Sequence, residues 1–134
     1  MRQRVSGCLI FVFCVLLSAA PAMAHHAFAT EFDAKKPVTM RGFVTKIEWT
    51  NPHVWFYLNI KNEQGVIENW GFEMGGPSGL QAQGWTRNTM KLGDELVVNG
   101  SLARNGSKRV NARNVTLAST GEKLGAASSE GRVD

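Results

Sequence analysis

From Val38 onward apolar and polar positions alternate in short runs separated by Gly, Pro, Asn and Asp. A period of two bounded by turn formers is the signature of half-buried strands. Val38 to Trp49 reads as a long first strand whose apolar phase slips between Val44 and Ile47. With Gly42 just upstream, the slip predicts a bulge or a sharp coil. Thr50-Asn51-Pro52 supplies a turn. His53 to Ile60 is a second strand, with Val54, Phe56, Leu58 and Ile60 on one face and His53, Trp55, Tyr57 and Asn59 on the other. After a loop around Asn62 to Gly65, a third strand from about Val66 to Met74 turns Trp70, Phe72 and Met74 to the core and leaves Glu73 on the outer face.

Gly75 to Gly79 interrupts the alternation, and Leu80 to Trp85 is expected to be a short helical or irregular connection with Ser78 as its N-cap. Glu95 to Arg104 is a fourth strand carried by Leu96, Val98 and Leu102. Asn105-Gly106 is a strong hairpin signal, returning the chain as a fifth strand from Lys108 to Leu117. Beyond Ala118 the composition turns to Gly, Ser, Ala and charge, which predicts a frayed tail. The fold class expected is therefore all-β: a small five-stranded OB-like β-barrel with a short helical insertion between strands 3 and 4. An open β-sandwich or meander is the alternative. Closure is favoured because it hides the edges of an apolar sheet.

The segment before Val38 differs in texture. Arg2 and Arg4 precede the apolar run Cys8 to Leu17, and small residues lead to Ala22-Met23-Ala24. A charged n-region, a short apolar h-region and an A-x-A site together form a secretory signal, and the run is too short for a membrane span. Cys8 stands at the start of the apolar run, where a lipidated cysteine would have to follow it. The expected organisation is a signal peptide over 1–24 cleaved after Ala24, an arm over 25–37, an OB-like domain over 38–118 and a flexible tail over 119–134, with the mature protein in the periplasm. Phe28 and Phe32, at i and i+4, would lay the arm on the domain.

Cleavage changes the composition. The 134-residue chain has a formal net charge of +4. Removing Arg2 and Arg4 leaves 13 Lys and Arg against 11 Asp and Glu, too slight a surplus for a groove that tracks phosphates. Together with export, this argues against a nucleic-acid partner. Arg104, Lys108, Arg109 and Arg113 are concentrated in one stretch, read as a solvated hairpin that resists edge pairing. Both cysteines leave with the signal, so the domain has neither a disulfide nor a thiol nucleophile.

Several motifs together, His25-His26-Ala27-Phe28, Glu31-Phe32-Asp33, Glu48-Trp49-Thr50-Asn51-Pro52-His53-Val54-Trp55, Phe72-Glu73-Met74-Gly75, Gly84-Trp85-Thr86-Arg87 and Gly93-Asp94, resemble a family of small exported bacterial proteins classed as a domain of unknown function. The resemblance implies a periplasmic OB-like domain and brings no catalytic assignment.

Three chemistries can be written on these residues. The face of strands two and three is the usual ligand surface of an OB barrel, so Trp55 and Tyr57, with Trp85 and Glu73, are the expected ligand-binding residues of a non-catalytic binding or accessory domain for a small ligand or a periplasmic partner protein. Alternatively His25, His26 and His53 form a Cu(II) or Zn(II) site. A terminal His chelates through its amine and ring, and a second-position His through amine, amide and ring, donor sets that suit tetragonal Cu(II). The third reading is an enzyme built on Glu48, Glu73 and His53. No nucleophile elbow, phosphate loop or H-E-x-x-H occurs, and no catalytic residue is assigned.

Overall fold

The computed structural model describes residues 28–127. Residues 1–27, with the expected signal peptide and the expected ligands His25 and His26, and residues 128–134 lie outside them. Residues 28–31 are helical, followed by β1 (Phe32–Glu48), β2 (Trp55–Lys61), β3 (Ile67–Glu73), α1 (Pro77–Ala82), β4 (Glu95–Ala103), β5 (Arg109–Leu117) and β6 (Lys123–Gly125).

β1 serves two partners. Its first half pairs with β4 and its second half with β2, both antiparallel, and Phe43 takes part in both ladders. The strand must coil to do this. A Cβ on Gly42 would lie 2.5 Å from the Asn59 carbonyl oxygen, so glycine permits the close approach at the bend. The register slips between Val44 and Lys46, where the apolar phase changes in the sequence. β2 pairs with β3 and β4 with β5, and a parallel pairing of Gly71 to Glu73 with Arg109 to Asn111 closes the ring. The strand order around it is β1-β2-β3-β5-β4-β1, so the expected OB-like barrel is formed, not an open sandwich or meander.

Alternation fills the interior. Val54, Phe56, Leu58, Phe72, Met74, Leu96, Val98 and Val110 are all fully buried, and the Phe56 and Phe72 rings stack at 5.1 Å. α1 occupies the predicted place between strands three and four and contributes Leu80 to the core. Its start differs from expectation. Gly76 is the N-cap, with no side-chain cap bond, and Pro77 opens the helix, where its fixed φ and missing N–H fit. Ser78 is inside the helix.

Two boundaries move. β1 begins at Phe32, so residues 32–37 of the expected arm belong to the barrel, with an irregular stretch between Phe32 and Pro37. The expected frayed tail is ordered as far as Ala127. β6 pairs with Asn114 to Thr116 of β5, continuing the edge where β3 leaves it. Ala126 and Ala127 are buried and both donate their N–H to the Arg113 carbonyl. Small residues that look like linker in composition thus serve here as close-packed edge cover.

Candidate functional site

Buried polar groups mark the site. Among the described residues, the buried polar or charged ones are Glu73, Ser101 and Asn111, and all three stand on one cross-strand row. Glu73 pairs with Asn111 across the closing seam, and Asn111 pairs with Ser101. Their neighbours Phe72, Val110 and Ala112 point inward, so strand alternation aims this row out of the barrel. Glu73 and Asn111 face Phe28, Glu31 and Phe32 of the N-terminal arm across a cleft.

The arm is held at several points. Phe32 is 1% exposed and stacks on Phe28 at 5.9 Å. Arg104 donates from Nε to the carbonyls of Ala29 (2.6 Å) and Phe32 (3.1 Å), and its backbone N–H donates to Glu31 O at 2.9 Å. Arg104 also faces Asp33, and Arg109 pairs with Glu31 at 3.2 Å. Half of the basic hairpin cluster is therefore engaged in fastening the arm. Lys108 is bound to Glu68 at 3.2 Å.

Between arm and barrel lies a cleft of about 330 Å³. Phe28, Glu31 and Phe32 form one wall, the loop from Thr50 to His53 another, and Trp55, Glu73 and Asn111 line it from the barrel. The loop contains a cis Asn51-Pro52 bond and packs on the segment before α1. A Cβ on Gly76 would come within 2.7 Å of the Pro52 carbonyl oxygen. The β2–β3 ladder runs on past the strands through Val54 N–H to Gly75 O and Met74 N–H to Val54 O, which fixes His53 beside Glu73.

His53 Nδ1 donates to Glu73 Oε1 at 2.6 Å. Burial pushes the Glu73 carboxyl above its ordinary value near 4.5 and the like charge of Glu31 acts the same way, while His53 and Arg109 pull it down. A carboxylate out of water needs such donors. Trp55 stands between Glu48 and Glu73 in the β1–β2–β3 register, with the Arg109 guanidinium 4.7 Å from its ring centroid. Cation–π contact of that kind orients the ring.

Of the residues singled out in the sequence, Trp55, Glu73 and His53 meet in this cleft. Tyr57 shares their face but is engaged elsewhere, donating to Glu48 Oε2 at 3.2 Å beneath the Lys46 ammonium. Trp85 does not belong to the ligand face. It is 1% exposed in the barrel core, its indole N–H donating to Gly125 O at 2.7 Å. Glu48 is two strand spacings from Glu73, about 10 Å, and pairs with Lys46 and Tyr57. Arg41 pairs with Glu95. Among the described residues no three His, Cys, Asp or Glu side chains converge on a metal position. Sequence reasoning missed Glu31, Asn51 and Asn111. Asn111 could have been flagged as a polar residue between core-facing Val110 and Ala112.

A wider groove of about 570 Å³ lies along Arg41, Phe43, Asn59, Lys61, Ile67 and Glu95. Phe43 and Ile67 are exposed there, but no buried polar group faces it. No helix among the described residues is long and apolar enough to cross a membrane.

Fold and site together define a small OB-like barrel with a polar cleft strapped by its own N-terminal arm. The chain belongs to DUF6152, a family of unknown function whose model matches residues 13–112, a span that includes every cleft residue from Phe28 to Asn111. The resemblance seen in the motifs is thus to a family that carries no assigned activity. No curated protein matches the chain.

Proposed function

We propose that this protein is an exported, non-catalytic binding module of the periplasm, and that its ligand occupies the cleft between the arm and Trp55. The observation that carries the reading is the His53–Glu73 pair at 2.6 Å, with the Glu73 side chain only 8% exposed. Burying a carboxylate costs stability unless partners compensate, and a surface row with no ligand to receive has no need of one. Cleft size supports a small ligand: about 330 Å³ is at the low end of small-molecule sites. Trp55 offers an apolar wall, and Asn51, Asn111 and Glu73 offer donors and acceptors that fix orientation. Export is supported by the signal motif over residues 1–24 and by the absence of cysteine after it. A small organic molecule on Trp55 would fall on this cleft, which His53 also lines.

Protein-observed NMR with a fragment library tests the reading. Hits whose shift changes cluster on residues 28–32, 50–55, 73 and 111, and which are lost in a folded Trp55→Ala variant, support it. Hits that scatter over the surface, or that gather at Phe43 and Ile67, overturn it.

A further inference from the structure

Two polar groups in the cleft are buried without being fully satisfied. Asn111 is 4% exposed, and among the described residues its side-chain amide has no hydrogen-bond partner. Glu73 receives the His53 Nδ1 proton on Oε1 at 2.6 Å, and among the described residues its Oε2 has no hydrogen-bond partner. Both side chains line the cleft and are neighbours across the β3–β5 seam. A buried amide or carboxylate oxygen without a partner costs stability, and folded proteins leave few of them. Here the unused capacity faces one space.

The rest of the lining sets the charge of what would fill it. Glu31 and Glu73 bring carboxylates, Phe28, Phe32 and Trp55 bring rings, and no lysine or arginine is among the described residues that line the cleft. The charge of Glu31 is felt at Glu73, where it adds to burial in raising the carboxyl. An anion would therefore meet two like charges, and a neutral polyol could pair with Asn111 but would leave the carboxylate charge uncompensated. A cation relieves it, and aromatic faces with carboxylates are how proteins hold ammonium and guanidinium groups. The margin of the cleft contains an internal example: the Arg109 guanidinium lies 4.7 Å from the Trp55 ring centroid and 3.2 Å from Glu31 Oε1. A metal ion fits less well, since the described residues bring no three ligating side chains together.

Resting on the cleft as the ligand site, we infer that its ligand is a small organic cation, a primary ammonium on an apolar body, with the ammonium donating to Glu73 Oε2 and the Asn111 side-chain oxygen and the body lying against Trp55 and the arm phenylalanines. An ammonium has three donors and no acceptor, which serves both open acceptors and leaves one donor for Glu31 or water. Charge-assisted bonds in a largely dehydrated cleft supply the discrimination: Glu73 distinguishes an ammonium from a hydroxyl. The ring contacts distinguish an organic ammonium from a bare inorganic cation.

The probes are phenethylammonium, its neutral counterpart phenethyl alcohol, its anionic counterpart phenylacetate, and glucose. Each is titrated near neutral pH and followed by backbone amide shifts in NMR. Phenethylammonium should move residues 28–32, 50–55, 73 and 111 and bind at least about tenfold tighter than the alcohol, with phenylacetate absent from the cleft. Glu73→Gln keeps the shape and a hydrogen-bonding group, and should bring the ammonium down to the affinity of the alcohol while the alcohol itself is little changed. Glu31→Gln alters a half-exposed position that the fold does not need, and should weaken the ammonium about threefold, so the charge preference is tested even where Glu73→Gln fails to fold. Equal affinity for ammonium and alcohol in the unaltered protein, or tighter binding of phenylacetate or glucose, overturns the inference. So does an ammonium preference that survives in folded Glu73→Gln. Any of these with shifts still confined to the cleft sinks the cationic ligand alone, whereas probes and fragments that all gather outside the cleft sink the binding reading itself.

Discussion

Arg109 joins Trp55 to Glu31: its guanidinium lies 4.7 Å from the indole centroid and 3.2 Å from the Glu31 carboxylate. One side chain therefore links a cleft wall on β2 to the arm that covers the cleft. Arg109→Ala is expected to cost only about 1 kcal/mol, because the pair is half exposed and screened. Its larger effect should be local. Amide exchange at residues 29–32 should accelerate while the core strands keep their protection; equal acceleration throughout would show that the arm is not a separate unit.

The two arm phenylalanines should separate by mutation. Phe32 is buried against Ala103 in the β1–β4 register, so Phe32→Ala should cost about 3 to 4 kcal/mol in urea unfolding. Phe28 is only partly buried, and Phe28→Ala should cost less than about 1.5 kcal/mol. Equal losses would mean that the arm packs as a single hydrophobic block.

Gly100 sits where β4 passes β5, and a Cβ there would lie 2.2 Å from the Asn111 carbonyl oxygen and 2.7 Å from Val110 Cγ1. Backbone cannot yield as a flexible side chain can, so Gly100→Ala should destabilise by about 3 kcal/mol and displace Asn111 in the cleft. Gly106 makes the contrast: its φ is +76° with open space around the Cβ position. Gly106→Ala should cost only about 1 kcal/mol of backbone strain. Chemical denaturation of the two variants decides the comparison.

Two glutamates should give stability of opposite pH dependence. The Glu68 carboxyl is held below 4.5, first by the Trp70 indole N–H and then by Lys108 and Asn62. Its contribution is present above that pH and lost as pH falls through the lowered value. Glu73 is held above 4.5, first by burial. The stability linked to its protonation is complete below that pH and is lost as pH rises through the raised value. Thermal melts should therefore show the deficit of Glu68→Gln disappearing toward about pH 3. The deficit of Glu73→Gln should shrink as pH rises through the raised value, above about 4.5. Parallel profiles for both variants would refute the assignment.

Much of the barrel was readable because strand alternation is a local rule. Gly42 and the slip between Val44 and Ile47 announced the coil of β1, and Asn105-Gly106 announced the last hairpin. Trp85 was misread because its position in a Gly-bounded connection says nothing of the hole it fills; only the Gly125 carbonyl, forty residues away, explains its depth. The ordered end was hidden for a related reason, since Ala126 and Ala127 pack through smallness and not through a pattern. Glu73 and His53 were each visible as chemistry on the right elements. Their meeting depends on the ladder running past β2 and β3, and Asn111 joins them through a seam whose register no sequence spacing encodes.

That seam pairs just Gly71 to Glu73 with Arg109 to Asn111, segments separated by the whole of α1 and β4. Closing so long a loop costs chain entropy before the contacts repay it, so the hairpins are expected to form early and the seam late. A ligand seated on Glu73 and Asn111 recognises only the finished ring. It should leave the refolding rate nearly unchanged and slow unfolding, which would make occupancy of the cleft a lock on the barrel's lifetime.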